Sequence, residues 1–375
     1  MKKTYFTLVA LAMLTLASCT ATNEAISERA KAFESTVDGK PTALYTLKNA
    51  SGAYVEITNY GGRIVSINVP DKDGKLTDVV LGYDSIDTYV ADKPGNFGAL
   101  IGRYGNRIEN GQFVIDGDTA KLEVNNYSHT LHGGPVGYHH SVWDATQPND
   151  STLELTLEDK SIGGFPGTVN VKVVYTFGYD NALRIDYEAT TDKATHINLT
   201  NHSYFNLGGD LSKNVLEQEV MIAADSITPI DSTFMTHGTM MAVEGTPFDF
   251  RTAKPVGQDI EQDNEQLKNG KGYDHNFVLN TGCDLNKVAA RVVCPETGIG
   301  LEVYTNEPGI QVYVGNFLDG SVVGKKGVAY PKRGAICLET QHFPNTPNQP
   351  EYPSCVVEPG QEYHSTCIYK FIVAE

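Results

Sequence analysis

The strongest constraint in this chain is a period of two. Residues 53–59 (AYVEITN), 63–69 (RIVSINV), 112–116 (QFVID), 121–125 (KLEVN), 152–158 (TLELTLE), 171–177 (VKVVYTF) and 183–189 (LRIDYEA) alternate apolar and polar side chains, or nearly so. Successive side chains of a strand point to opposite faces, so this pattern describes strands with one buried and one wet face. Clusters such as Asn59-Tyr60-Gly61-Gly62, Asp71-Lys72-Asp73-Gly74, Asp116-Gly117-Asp118 and Gly178-Tyr179-Asp180-Asn181 separate the runs. Gly, Asn and Asp reach the left-handed backbone angles that tight hairpins require, so neighbouring strands should run antiparallel. The same texture resumes at 218–225, 288–294, 299–305, 310–314, 334–339 and 364–373. Only 258–269 (QDIEQDNEQLKN) has a helical composition, and it is too polar for a core element. The pattern predicts an all-β fold, a large antiparallel β-sandwich of two curved sheets packed face to face. No Pro/Ser-rich linker cuts the chain after residue 40, so 41–375 reads as a single domain. At this length two intimately packed sandwich halves are the alternative.

The first residues stand apart from that pattern. Lys2 and Lys3 precede an apolar run from Tyr5 to Ala17, which ends at Leu16-Ala17-Ser18-Cys19. A basic start, a short apolar core and small residues at the cut describe a secretory signal over 1–18. The run falls short of the roughly 20 apolar residues that a membrane-spanning helix needs. A cysteine at this position predicts a bacterial lipoprotein, lipid-anchored in the cell envelope through Cys19 and facing the periplasm. Residues 19–40 are small, polar and aperiodic and read as a tether. The chain carries a formal charge of −17, and losing Lys2 and Lys3 makes it more negative still. Nucleic acid is therefore excluded as a partner, since its affinity comes largely from neutralised phosphates. An anionic membrane surface is excluded too, leaving the lipid to do the anchoring. Five cysteines remain: Cys283, Cys294, Cys337, Cys355 and Cys367. Their odd number and the lack of C-x-x-C argue against a zinc site or a disulfide framework. They are expected as small buried apolar residues, although an oxidising envelope would permit a Cys283–Cys294 bridge.

Five segments carry more polarity than half-buried strands need. They are 199–210 (LTNHSYFNLGGD), 102–107 (GRYGNR), 131–134 (LHGG), 272–277 (GYDHNF) and 337–342 (CLETQH). Each has an ordinary explanation. A lone strand histidine is usually a satisfied structural residue, a lone carboxylate is usually solvated, and a lone arginine is usually half of a surface ion pair worth little. Spacing cannot decide whether the segments meet, because a sheet joins residues hundreds apart.

In series, these strings say more. GRYGNRI, LHGG followed by Gly137 and Trp143, NHSYFNL, GYDHNF, NEPGIQVYVGNFL and CLETQHFPN occur in one order between about residues 42 and 373. With that order and spacing the chain resembles the aldose 1-epimerase (galactose mutarotase) family. The resemblance implies a β-supersandwich with a sugar cleft and the interconversion of the α and β anomers of hexoses such as galactose and glucose. It assigns Glu339 as catalytic base, His202 as catalytic acid and His132 as a second active-site histidine. It gives Asp274 and Arg107 the task of holding sugar hydroxyls, with Asn106, Gln311 and Tyr313 lining the same cleft. Tyr104-Gly105 replaces a small apolar pair, and Gln341-His342-Phe343 could reshape one wall of the pocket.

The chemistry suits these groups. Ring opening removes the anomeric hydroxyl proton, protonates the ring oxygen and breaks the C1–O5 bond, so one base and one acid suffice and no cofactor is required. His202 must be protonated to donate. Its ordinary pKa of about 6.5 and nearby carboxylates such as Asp274 are expected to keep it so. Tyr204 or Phe277 would stack on the sugar. No metal is implied, although calcium or sodium could occupy carbonyl-rich turns. The partner is a small aldose and the chain is expected to be a monomer. Competing readings are a hexose-6-phosphate 1-epimerase, a non-catalytic carbohydrate-binding protein, and a polysaccharide lyase or hydrolase using Glu339 and Asp274.

Overall fold

The computed structural model describes residues 28–374. A nine-stranded sheet runs in the order Asp144–Asn149, Thr152–Lys160, Thr168–Phe177, Ala182–Thr191, Glu362–Val373, Ile299–Thr305, Ala290–Val293, Glu219–Ile222 and Lys254–Pro255. Thr168–Phe177 alternates without a break, placing Val169, Val171, Val173, Tyr175 and Phe177 inside. Its partner Ala182–Thr191 repeats the alternation, so the register puts one apolar face against the core. A second sheet of six strands runs Tyr204–Phe205, Ile336–Gln341, Gly309–Tyr313, Asp274–Leu279, Ala224–Thr228 and Met241–Ala242. All the pairings within both sheets are antiparallel. The two sheets share one apolar core, in which Phe205 packs edge-on against Tyr369 and the Tyr369 hydroxyl donates to the Leu338 carbonyl at 2.8 Å. That core extends from Leu47 to Phe371 and takes in the four-stranded sheet Leu44–Lys48, Tyr54–Thr58, Arg63–Pro70 and Leu76–Asp78.

Three expectations change. Residues 121–125 are not a strand: the hairpin strand ends at Lys121, and Leu122 and Glu123 donate to the Gly111 and Gly163 carbonyls instead. The helical composition at 258–269 yields only Glu265–Gly270, started by Asn264, whose side chain accepts from the Gln266 and Leu267 amides. Residues 28–40 are not a loose tether. Phe33 is fully buried against Tyr89, Arg29 lies 3.2 Å from Glu56, and Ser35–Val37 pairs with Lys40–Thr42. One aromatic in a polar run is enough to anchor that segment. Cys19 and the leader lie outside the described residues. The other five cysteines are unpaired thiols; four are buried, and Cys283 is exposed, so the permitted Cys283–Cys294 bridge does not form.

Candidate active site

The polar segments converge because the second sheet places them side by side. Glu339 stands in the middle of Ile336–Gln341, directly opposite Gln311, and Asp274 pairs with Tyr313 on the same sheet. His202 ends the short strand Thr200–His202, which pairs with Ala99–Ile101. Its neighbours brace it: Asn201 donates to the Gly98 carbonyl at 2.9 Å, and the Ser203 hydroxyl donates to Asn201 at 2.7 Å. Asn206 is spent on the Lys213 and Gly334 carbonyls. Of that polar stretch, His202 and Tyr204 face the cavity.

His202 Nε2 lies 3.5 Å from Glu339 Oε1, with both side chains buried. His132 approaches His202 edge-on, with ring centroids 5.2 Å apart. Its loop is set by a close approach: a Cβ at Gly133, where φ is +82°, would lie 2.0 Å from the Gly102 carbonyl oxygen. Gln311 donates to Asp274 at 2.6 Å. Arg107 Nε donates to Asn126 at 3.0 Å, its one hydrogen-bonded guanidinium nitrogen among the described residues. The guanidinium carbon sits 4.7 Å from the centroid of the Phe234 ring. Asn106 accepts from the Arg107 amide at 2.9 Å and shapes the loop. Tyr204 stacks on His202, 5.0 Å away and 20° from parallel.

All eight residues named from the sequence (His132, His202, Glu339, Arg107, Asp274, Asn106, Gln311 and Tyr313) line one cavity of about 160 Å³. Asn96, Asn126, Leu131 and Phe317 line it too, and nothing in the period-two pattern marks them. Hollows of about 450, 730 and 510 Å³ are lined by no histidine, and one of about 380 Å³ beside this cavity has His132, His139 and His140 but no carboxylate, so the pairing of histidine with carboxylate rather than size selects the site. Phe277 does not contribute; it is buried against Phe248 and Phe250. Nor do Gln341 and His342 form a wall. Gln341 donates inward to Asn276, and His342 Nδ1 lies 2.6 Å from the buried Glu307.

Burial dominates the electrostatics. It lowers His202 to about 3, with Arg63 acting in the same direction. It raises Glu339 well above the usual carboxylate range, reinforced by Asp274 and opposed by Arg107. Asp274 is also raised by burial, against Arg107 and the hydrogen bond from Gln311. The expectation that nearby carboxylates keep His202 protonated meets the opposite direction here: burial disfavours both charges, lowering the histidine and raising the carboxyl. Glu339–H with neutral His202 and carboxylate with imidazolium are two placements of one proton.

His132, His202 and Glu339 bring possible ligand atoms within 4.8 Å of one another. The Asn106 amide donates to His132 Nδ1 at 3.2 Å, which occupies that lone pair and puts the imidazole proton on Nε2. His132 thus presents a donor, suited to an oxygen rather than to a cation.

The family profile for aldose 1-epimerase matches residues 43–370. The chain is 40% identical over 320 residues to galactose mutarotase of Bos taurus, covering 85% of this chain and 91% of that protein. It is 38% identical over 338 residues to aldose 1-epimerase of Escherichia coli (strain K12), covering 89% and 96%. The solved aldose epimerase homologue from C. elegans superposes with a TM-score of 0.82 at 31% identity, over 89% of this chain and all of that one. Galactose 1-epimerase from Lactobacillus acidophilus NCFM gives 0.80 at 27% identity, over 91% and 97%. The chain belongs to the aldose 1-epimerase family.

Proposed function

We propose that the cavity holds one hexose, galactose or glucose, with Glu339 facing its anomeric hydroxyl and His202 its ring oxygen. The observation that carries this reading is the 3.5 Å approach of a buried imidazole to a buried carboxyl in a cavity about the size of one sugar ring. Sugar hydroxyls donating to Glu339 and a ring oxygen accepting from His202 favour the charge-separated placement that burial alone disfavours. Glu339 then takes the proton from O1 as His202 gives one to O5. The C1–O5 bond breaks, C1–C2 rotates, and reclosure on the other face reverses both transfers. Each positioned group supplies about 10²- to 10⁴-fold in rate. Arg107, Asp274 and Gln311 hold the remaining hydroxyls, and His132 donates from Nε2. None of these steps calls on a cofactor.

A phosphorylated hexose would want several cations, whereas Arg107 is the one lysine or arginine lining the cavity among the described residues. Polarimetry of freshly dissolved α-D-galactose and α-D-glucose tests the proposal: equilibration well above the spontaneous rate supports it, and sugar binding without faster equilibration leaves only a binding protein. Because the active form has one proton on the pair, kcat/KM should stay level across a window wider than the roughly 4.3 to 6.5 of an ordinary Glu and His. A narrow bell between those values would count against the shared proton. We also propose that Cys19 carries a lipid holding the enzyme in the bacterial envelope. Labelled fatty acid should enter the wild-type chain and not Cys19→Ala.

A further inference from the structure

His202 lacks the hydrogen bond that ordinarily aims a catalytic imidazole. Its Nε2 faces Glu339, and its buried Nδ1 has no hydrogen-bond partner among the described residues. A bond at the second ring nitrogen usually fixes the orientation of such a ring. Packing must fix it here. Tyr204 lies along one face, 5.0 Å away and 20° from parallel, and His132 meets the ring edge-on.

Tyr204 is the inner end of a row of rings. It packs on Phe97 with centroids 4.6 Å apart, Phe97 on Tyr83 at 5.3 Å, Tyr83 on Tyr89 at 5.0 Å, and Tyr89 on Phe33 at 6.1 Å. The four outer rings belong to a second apolar core, distinct from the one shared by the two large sheets, and Tyr204 packs against it. The backbone follows the row. The Gly98 amide donates to the His202 carbonyl at 3.0 Å, and Arg63 donates to the Phe97 carbonyl at 3.0 Å with its guanidinium carbon 5.3 Å from the centre of the Tyr89 ring.

The outer end of the row is the N-terminal segment, and it is firmly seated. Phe33 is fully buried, its carbonyl accepts from the Thr42 hydroxyl at 2.8 Å, and the Ala32 carbonyl accepts from the Ile86 amide at 3.0 Å. Arg29 lies 3.2 Å from Glu56 and 3.6 Å from Asp84. Arg107, Asp274 and Gln311 stand on the strands Arg107–Ile108, Asp274–Leu279 and Gly309–Tyr313, which carry no ring of the row. Disturbing the row should therefore misaim the histidine and spare the groups given to the sugar hydroxyls.

We propose that Phe33, with Arg29 locking its segment, is a remote positioning residue: it wedges the row of rings so that Tyr204 keeps the His202 imidazole aimed at the ring oxygen of the sugar. This rests on the reading of His202 as the proton donor. The N-terminal segment thereby sets turnover rather than sugar affinity.

The test measures kcat and KM for D-galactose by polarimetry in the wild type, Phe33→Ala, Phe33→Leu, Arg29→Ala, Tyr204→Leu and the Phe33→Ala, Tyr204→Leu double variant. Val171→Ala, a buried change in the nine-stranded sheet, is the control for general loosening. Phe33→Ala should lower kcat about five- to twentyfold with KM within about twofold, because a misaimed group costs rate and not binding. Phe33→Leu should recover most of that loss. Arg29→Ala should lower kcat about threefold, and it carries the test if Phe33→Ala does not fold. With Tyr204→Leu already in place, the Phe33 change should add less than about twofold, since the row is broken at its inner end. Val171→Ala should keep kcat within about twofold. Unchanged kcat in Phe33→Ala and Arg29→Ala, a loss confined to KM, full multiplication of the two losses in the double variant, or an equal kcat loss in Val171→Ala would each overturn the positioning role and leave the aldose site standing. A wild type that does not speed equilibration would remove that site and the positioning role with it.

Discussion

Arg103 and Arg107 stand four residues apart in one motif, and their surroundings could hardly differ more. Arg103 is fully buried with Asp159, at 2.8 Å from Nε. Its other nitrogens donate to the Pro166, Gly167 and Asp159 carbonyls and to Thr195, and the Tyr138 hydroxyl and the Ile162 amide complete Asp159 with two further hydrogen bonds. Arg107 is nearly as buried, but of its guanidinium nitrogens only Nε has a hydrogen-bond partner among the described residues. Around it Glu339 Oε2 and Gln311 Oε1 also lack hydrogen bonds. Buried polar groups are normally satisfied within the fold. A network that closes on itself serves structure, and one that leaves donors and acceptors directed into a cavity is complementary to a polyhydroxylated guest.

Breaking each region should give opposite outcomes. The largest effect is expected from Arg103→Ala, which strands Asp159 in the core and should cost about 3–5 kcal/mol of stability by chemical denaturation. A change below roughly 1 kcal/mol would show that the closed network is not structural. Next, His202→Asn should lower kcat by at least roughly 10²-fold with the circular dichroism spectrum unchanged. Near-normal turnover would remove His202 from the reaction. Arg107→Ala should leave stability within roughly 1 kcal/mol while weakening galactose binding about tenfold or more, read by calorimetry. Equal loss of stability and affinity would erase the distinction between the two arginines.

The smallest effect carries the sharpest sign. Glu339 has its folded pKa raised by burial, so the folded state keeps this proton after the unfolded chain has released it. The associated stability is complete below the unfolded value of about 4.3 and is lost as pH rises through the folded one. Glu339→Gln removes that dependence and should raise Tm by roughly 2 °C at pH 8 and not at pH 4. A lower Tm at pH 8 would mean that the carboxyl is held as comfortably as Asp159.

The strands of the large sheet were legible because Val169 to Phe177 obeys strict alternation, the direct consequence of one buried face. The site was legible only through the motif series, since alternation places Glu339 in a strand without saying what lies opposite. Asn96, Asn126 and Phe317 escaped because they occupy loops, where side-chain direction follows no period. The helix Ile86–Ala91 is too short to show one. The direction in which burial shifts His202 also escaped. Composition supplies neighbouring carboxylates, whereas depth sets the cost of the charge, and depth is a property of the folded chain.

The most direct test is anomeric exchange of galactose followed by NMR in the wild type and in Glu339→Gln, with sugar binding measured on the same samples. Rapid exchange in the first, and exchange near the uncatalysed level with sugar still bound in the second, is the predicted result. Exchange in Glu339→Gln within about threefold of wild type would contradict the assignment of proton transfer to this carboxyl and its histidine.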